Sequence, residues 1–293
     1  LATGHYEEPR IPQVPGEAAF RGHVSHSKSY RGPESVVGQG VRPARVLVVG
    51  AGPSGTDIAL ELAQWPGTET VWVATRETTA QREAEALGSH QPGRGSLVPV
   101  SSPERFEADA SVAEGAVLVT QCGARLPVTH VVWATGYNYS YPFVPPHVLA
   151  VQENRVHPLY LQLFHALAPT LAVPGIPFRV VPWPLIDAQA ELMARVWSGH
   201  TPLPAATSAD RLVALAEQYE DLARRGVPVR HTHLLGPQQW QYLATLYQAS
   251  ALEPAELEQR LGLLPVLQSM YVDVSAARRL DPTTYRDRQY GLG

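Results

Sequence analysis

The chain reads as an α/β protein built on a parallel sheet, and three observations predict it. Val46-Leu47-Val48-Val49 is an uninterrupted apolar run, mostly β-branched, as expected of a strand buried on both faces. A G-x-G-x-x-G turn follows at once, with glycines at 50, 52 and 55 and Ala51, Pro53 and Ser54 between them. A helix-period segment, Thr56–Gln64, then leads into a second strand-like run, Thr70–Thr75, which ends at Arg76. Strand, glycine turn, helix and strand in that order form a Rossmann-type βαβ unit, and a bare glycine-rich loop would lack the flanking elements.

Each glycine has its own task in such a unit. Gly50 makes the tight turn, Gly52 admits a pyrophosphate close to the backbone, and Gly55 lets helix pack on strand. The helix N-terminus offers free N–H groups and the positive end of its dipole to phosphates. These residues predict a dinucleotide site. Arg76 lies 21 positions after Gly55, close to the spacing of about 20 at which an acidic residue holds an NAD ribose or an Arg accepts a 2′-phosphate. Arg76 at the end of Thr75 therefore favours NADPH; the alternative is an ordinary exposed charge at a strand end. Glu77 beside it would repel that phosphate were it turned inward.

Composition narrows the remaining classes. A length of 293 residues suggests about two domains. Acidic residues number 27 against 23 basic ones, which leaves no electrostatic footprint for nucleic acid or an anionic membrane. A single cysteine, Cys122, excludes an internal disulfide and a C-x-x-C redox pair, and a reducing cytoplasm is the expected compartment. Cys122 itself reads as a small buried hydrophobe. No apolar stretch approaches the roughly 20 residues of a membrane span. Leu1–His5 have no basic leader or long apolar core and read as the end of a strand.

Along the chain, residues 7–19 form a Pro-rich connector and residues 77–108 look irregular, with scattered Gly and Pro. Strands are expected at Ala116–Thr120 and Thr129–Ala134. Helices follow at Ile186–Trp197 and Ser208–Arg225, the latter with Leu212, Leu215, Ala216, Tyr219 and Leu222 on one face and Gly226 as its stop. Shorter helical pieces cover 238–250 and 254–261, and Trp183 and Trp197 read as core.

A second pattern precedes the glycine turn. Phe20-Arg21-Gly22-His23-Val24-Ser25-His26-Ser27-Lys28-Ser29-Tyr30 is F-x-G-x-x-x-H-x-x-x-Y. It resembles the fingerprint of the flavin-containing monooxygenases, which are FAD- and NADPH-dependent. Ala2-Thr3-Gly4-His5-Tyr6 is similar to the family's first A-T-G segment, and Ala134-Thr135-Gly136-Tyr137 to its second. Phe178–Gln189 and His231–Tyr242 resemble the plant-type branch that includes glucosinolate S-oxygenases. His130 departs from the pattern, which usually places an Asp just before the last strand.

The resemblance implies that residues 1–40 end a FAD-domain segment and carry the linker, that 41–136 form the NADPH-binding domain, and that 137–293 return to the FAD domain with C-terminal helices. It implies that Thr3, Gly4, Thr135 and Gly136 bring backbone near FAD or a hinge. It also implies an earlier FAD-binding segment, so the chain is expected to be a fragment or truncated product that purifies colourless. In such enzymes NADPH reduces the flavin, the reduced flavin traps O2 as a C4a-hydroperoxide, and a soft amine or thioether takes the distal oxygen. The cofactors carry that chemistry, so no catalytic acid–base pair is required and none stands out. A Baeyer–Villiger enzyme would end the fingerprint in Trp where Tyr30 stands, and a disulfide reductase needs a partner for Cys122. A non-catalytic NADPH-binding module is the reading from a different class. His26 is expected to make a structural hydrogen bond, and Phe20 and Tyr30 to pack. His23 with His26, or His231 with His233, lacks the partners of a metal site.

Overall fold

The structure, a computed structural model, describes residues 1–38, 40, 42–76, 78, 97–112, 114–280, 285–287 and 289. The chain divides into two compact units, one of residues 8–138 and one of residues 1–7 with 139–293.

The unit of residues 8–138 begins with β1 (Glu8–Pro9), β2 (His23–His26), the single turn α1 (Glu34–Val37), β3 (Ala44–Val49), α2 (Pro53–Gln64) and β4 (Thr68–Thr75). It continues with β5 (Leu97–Ser101), β6 (Pro103–Glu107), β7 (Ala116–Thr120), β8 (Arg125–Val128), β9 (His130–Trp133) and β10 (Tyr137–Asn138). Five strands form a parallel sheet in the order β2-β9-β3-β4-β5, and β6-β7-β8 form an antiparallel meander. Side chains alternate across a strand, and here both faces of the sheet are covered. Leu47, Trp72, Val98, Val131 and Trp133 pack on the meander's Phe106, Leu118, Leu126 and Val128. Val46, Val48, Val71 and Val132 face Ile58, Ala59 and Leu62 of α2 and Val36 and Val37 of α1. Covering on both sides explains why Val46–Val49 of β3 is an unbroken apolar run rather than alternating.

Two sequence expectations change in this unit. The stretch 77–108 contains β5 and β6 rather than being irregular throughout. Their prolines hid them: Pro99 sits at an exposed position of an edge strand and Pro103 opens β6, both positions where no ladder N–H is needed. Cys122 is exposed, not buried. It lies in the turn between β7 and β8, where its N–H donates to Ser101 Oγ at 3.0 Å and Gly123 takes a positive φ.

The unit of residues 1–7 and 139–293 carries two small hairpins, β11 (Ala150–Gln152) with β12 (Arg155–His157), and β13 (Leu159–Tyr160) with β14 (Phe164–His165). Four helices follow: α3 (Pro182–Trp197), α4 (Ser208–Arg224), α5 (Gln239–Ala249) and α6 (Pro254–Leu280). Leu185, Ala188 and Leu192 of α3 pack with Leu215 of α4, Leu243 and Leu246 of α5 and Leu264 of α6. Thr207 and Asp210 close a capping box at the start of α4.

Here too the structure corrects the sequence reading. Leu1–His5 form no strand, although the Leu1 nitrogen donates to Ala172 O at 2.6 Å. The last helix runs on past 261 to Leu280 and holds Gly262 and Pro265 inside it. The inward stripe of α4 is rotated: Arg211 and Leu215 are buried, whereas Leu212 and Ala216 are exposed. Arg211 is tolerated inside because its guanidinium donates to the carbonyls of Ala166, Ala205 and Ala206. Trp183 is 79% exposed and Trp197 is exposed as well, so neither is core. Trp197 Nε1 donates to Pro169 O at 2.9 Å.

Two buried polar groups in this unit, His233 and Gln189, are each held from both sides. His233, only 2% exposed, accepts at Nε2 from Val156 N (3.0 Å), so Nδ1 carries the proton and donates to Gln162 Oε1 (3.1 Å). Burial holds its pKa down at about 3. Gln189 accepts from Gly175 N and donates to the Tyr242 hydroxyl, which in turn donates to Leu161 O. Among the described residues no helix is long and apolar enough to cross a membrane.

Candidate nucleotide site

The glycine turn leaves the carboxyl end of β3. From β3 the chain moves outward to β4 and β5, then returns to β9 on the other side of β3. Strand order therefore reverses between β3 and β9, the position outside the strand ends where open α/β sheets bind ligands.

Gly50 has φ +110, and its N–H donates to Ala74 O at 2.9 Å. A Cβ there would overlap the Ala134 carbonyl oxygen, which lies on the exit from β9. At Gly55 a Cβ would overlap the Gly50 carbonyl oxygen and crowd Ala134 Cβ at 3.1 Å, so the helix sits directly on the turn. Gly52 differs. A Cβ there meets nothing within 4 Å, so its bareness serves no internal packing. Ala51, Gly52, Pro53 and Ser54 are exposed. The first-turn amides of Ser54 and Gly55 have no intrahelical acceptor, while Pro53 brings no N–H to that turn. Thr56 closes it from inside, its Oγ1 donating to Gly52 O at 3.1 Å.

The neighbouring strand brings Thr75 and Arg76 to the same edge. Val49 is level with Ala74, so the chain leaves β4 beside the glycine turn. Thr75 Oγ1 is 3.3 Å from Thr78 Oγ1, and Arg76 is exposed in the turn beyond. Glu77 lies outside the described residues. A cradle of bare backbone, a helix N-terminus and an exposed guanidinium suit a phosphorylated dinucleotide.

Thr135 and Gly136 stand on the other side of the turn, and both carbonyls and the Thr135 hydroxyl already have partners. Arg10 Nε and Nη2 donate to Thr135 O at 3.2 and 3.1 Å, and Thr135 Oγ1 donates back to Arg10 O. Gly136 O accepts from Arg10 N at 2.9 Å and from His26 Nε2 at 3.0 Å. The tautomer is fixed, because His26 Nδ1 accepts from Lys28 N. Burial lowers the pKa of His26, opposed by the Gly136 hydrogen bond and aided by Lys28. Thr3 and Gly4 belong to the other unit, where both are exposed and Gly4 has φ +72.

The rest of the fingerprint is scaffolding. Phe20 packs on Phe106 with ring centroids 5.3 Å apart. A Cβ on Gly22 would overlap Thr129 O, and this closeness lets His23 N donate to the same oxygen at 3.1 Å. Tyr30 OH donates to Glu61 Oε2 on α2 at 2.8 Å. His130 is fully buried, with Nδ1 2.8 Å from Thr129 Oγ1. No group of three or more metal-ligating side chains occurs among the described residues. Sequence reasoning missed Arg10 and Glu61, whose partners are remote in sequence and leave no local signal.

Residues 1–81 and 108–257 match the profile of the flavin-binding monooxygenase-like (FMO-like) family. The chain belongs to that family. It is 33% identical over 98% of its length to flavin-containing monooxygenase FMO GS-OX-like 4 of Arabidopsis thaliana, and 32% identical over the same share to FMO GS-OX-like 3. It spans 58% of the length of each. The structure of S-allyl-L-cysteine S-oxygenase from Allium sativum superposes with a TM-score of 0.79 at 30% identity, over 99% of this chain and 60% of that one. Tmm from Pelagibacter sp. strain HTCC7211 shares the fold, with a TM-score of 0.68 at 19% identity over 99% of this chain and 58% of that one.

Proposed function

We propose that residues 41–136 bind NADPH at the Gly50–Gly55 turn, and that the chain forms part of a FAD- and NADPH-dependent monooxygenase. Its substrate would be a soft nucleophile, a thioether or an amine. Sulfur is favoured, because the garlic neighbour at 30% identity is named an S-oxygenase. When bound, the two cofactors supply electron transfer and O2 activation. The residues of this chain bind and orient. Gly52 and the first-turn amides of Ser54 and Gly55 receive the pyrophosphate, flanked by Ala51 and Pro53. Arg76, beside Thr75, receives the 2′-phosphate. Residues 137–293, with Thr3 and Gly4, are assigned to the FAD side, and Thr135 and Gly136 act there through backbone. A cytoplasmic location is proposed with it, with no nucleic-acid partner and no membrane span.

One observation carries the reading: Gly52 stands bare and exposed at the head of a twelve-residue helix, where no packing contact requires the missing side chain. Calorimetry with NADPH and NADH tests it. Charge-assisted hydrogen bonds contribute about 1.5–3 kcal/mol each, so Arg76→Ala should weaken NADPH binding roughly 10- to 100-fold and leave NADH nearly unchanged. Equal losses for both nucleotides would refute the 2′-phosphate assignment. A full-length protein that binds NADPH, yet with FAD supplied never consumes it, would instead be a non-catalytic module.

A further inference from the structure

We infer that Arg10 is a positioning residue of the nucleotide turn, an inference that rests on the NADPH reading above. Arg10 lies in a Pro-rich connector and reads in sequence as a spacer. In the fold it grips the exit of β9 from three directions. Its guanidinium donates through Nε and Nη2 to Thr135 O, its main-chain N–H donates to Gly136 O, and its own carbonyl accepts from Thr135 Oγ1. β1 adds the antiparallel pairing of Pro9 with Tyr137. The gripped segment is the back wall of the turn, since Ala134 O stands where a Gly50 side chain would be and Ala134 Cβ faces Gly55. One ladder bond joins this wall to β3, Ala134 N to Val49 O, and another joins the turn itself to β4, Gly50 N to Ala74 O, both 2.9 Å.

An arginine suits the task because its planar fork gives two donors to one carbonyl at fixed geometry, and a lysine cannot reproduce that. Thr135 and Gly136 then act as a braced shelf rather than as polar ligands. Arg10 braces the exit of β9, which β3 separates from β4 and Arg76, so losing it should weaken binding of both nicotinamide dinucleotides alike, unlike Arg76.

The test uses the full chain as Arg10→Ala, Arg10→Lys, Thr135→Val and Thr135→Ser, well below the melting temperature of each. Arg10→Ala and Thr135→Val should lose about tenfold in affinity for NADPH and for NADH. Thr135→Ser, which keeps the hydroxyl, should bind like wild type, and Arg10→Lys should fall between. Amide exchange gives a readout independent of ligand: Arg10→Ala should speed exchange at Ala134 and Gly50 ahead of the rest of the sheet. Unchanged exchange at those two amides, or acceleration spread evenly through the unit, overturns the inference. A wild-type chain that takes up neither nucleotide refutes the NADPH reading, while the exchange result still decides the bracing role of Arg10.

Discussion

The glycine turn at 50–55 and the fingerprint at 20–30 are equally recognisable in sequence, yet they spend their polar groups in opposite ways. In the fingerprint, bare Gly22 lets His23 N donate to Thr129 O, His26 Nε2 donates to Gly136 O, and Tyr30 OH donates to Glu61 Oε2 on α2. The glycine turn commits Gly50 and Gly55 to packing and leaves Gly52 and the head of α2 facing solvent. A motif of conspicuous residues can therefore be scaffold or receptor, and the partners that its signature side chains find within the fold distinguish the two. The fingerprint holds the frame, and the turn keeps its backbone exposed.

The sharpest break in that comparison is Gly55→Ala. Its Cβ would overlap a backbone oxygen that cannot move without moving Gly50, so a loss of about 3 kcal/mol or more in folding stability is expected, read by denaturant unfolding. A stable Gly55→Ala protein would mean the helix does not rest on the turn.

A smaller effect comes from the inward-spending habit that His233 shares with the fingerprint. Its folded pKa of about 3 lies below the ordinary 6.5, so between those values the unfolded chain binds a proton that the native chain refuses. Stability should therefore rise with pH across that window and fall on acidification, by roughly 2 kcal/mol at pH 5 relative to pH 7. His233→Gln, which can still accept from Val156 N and donate to Gln162, should flatten the profile in urea titrations at several pH values. An unchanged slope would show that other groups carry it.

The smallest effect belongs to Tyr30→Phe, which removes only the hydroxyl bond to Glu61. That pair is exposed, so about 0.5–1 kcal/mol is expected by thermal melting. A loss several times larger would make Tyr30 a keystone rather than a tie.

Legibility in the sequence followed locality. The βαβ unit declares itself within 31 residues, because the run Val46–Val49, the three glycines and Arg76 are neighbours in the chain. The partners of the fingerprint do not: His26 meets Gly136 across 110 positions, and Arg10 meets Thr135 across 125. Burial was misread wherever tertiary context outweighed residue type. Cys122 falls in a turn and Trp183 on an exposed first helical turn, while Arg211 is drawn inside by three carbonyls. Prolines at 99 and 103 disguised two strands by their ordinary meaning as breakers, and Gly262 with Pro265 disguised the length of α6.

The most direct measurement compares NADPH uptake by wild type and Gly52→Ala. The backbone at Gly52 (φ −71, ψ 179) accepts alanine and its Cβ would meet no protein atom, so both proteins should melt together. Calorimetry should find one NADPH per wild-type chain and at least a tenfold weaker affinity in the variant, the added methyl standing where the pyrophosphate must approach. Equal affinity in the two proteins, or no uptake by wild type, would contradict a coenzyme seated on that turn.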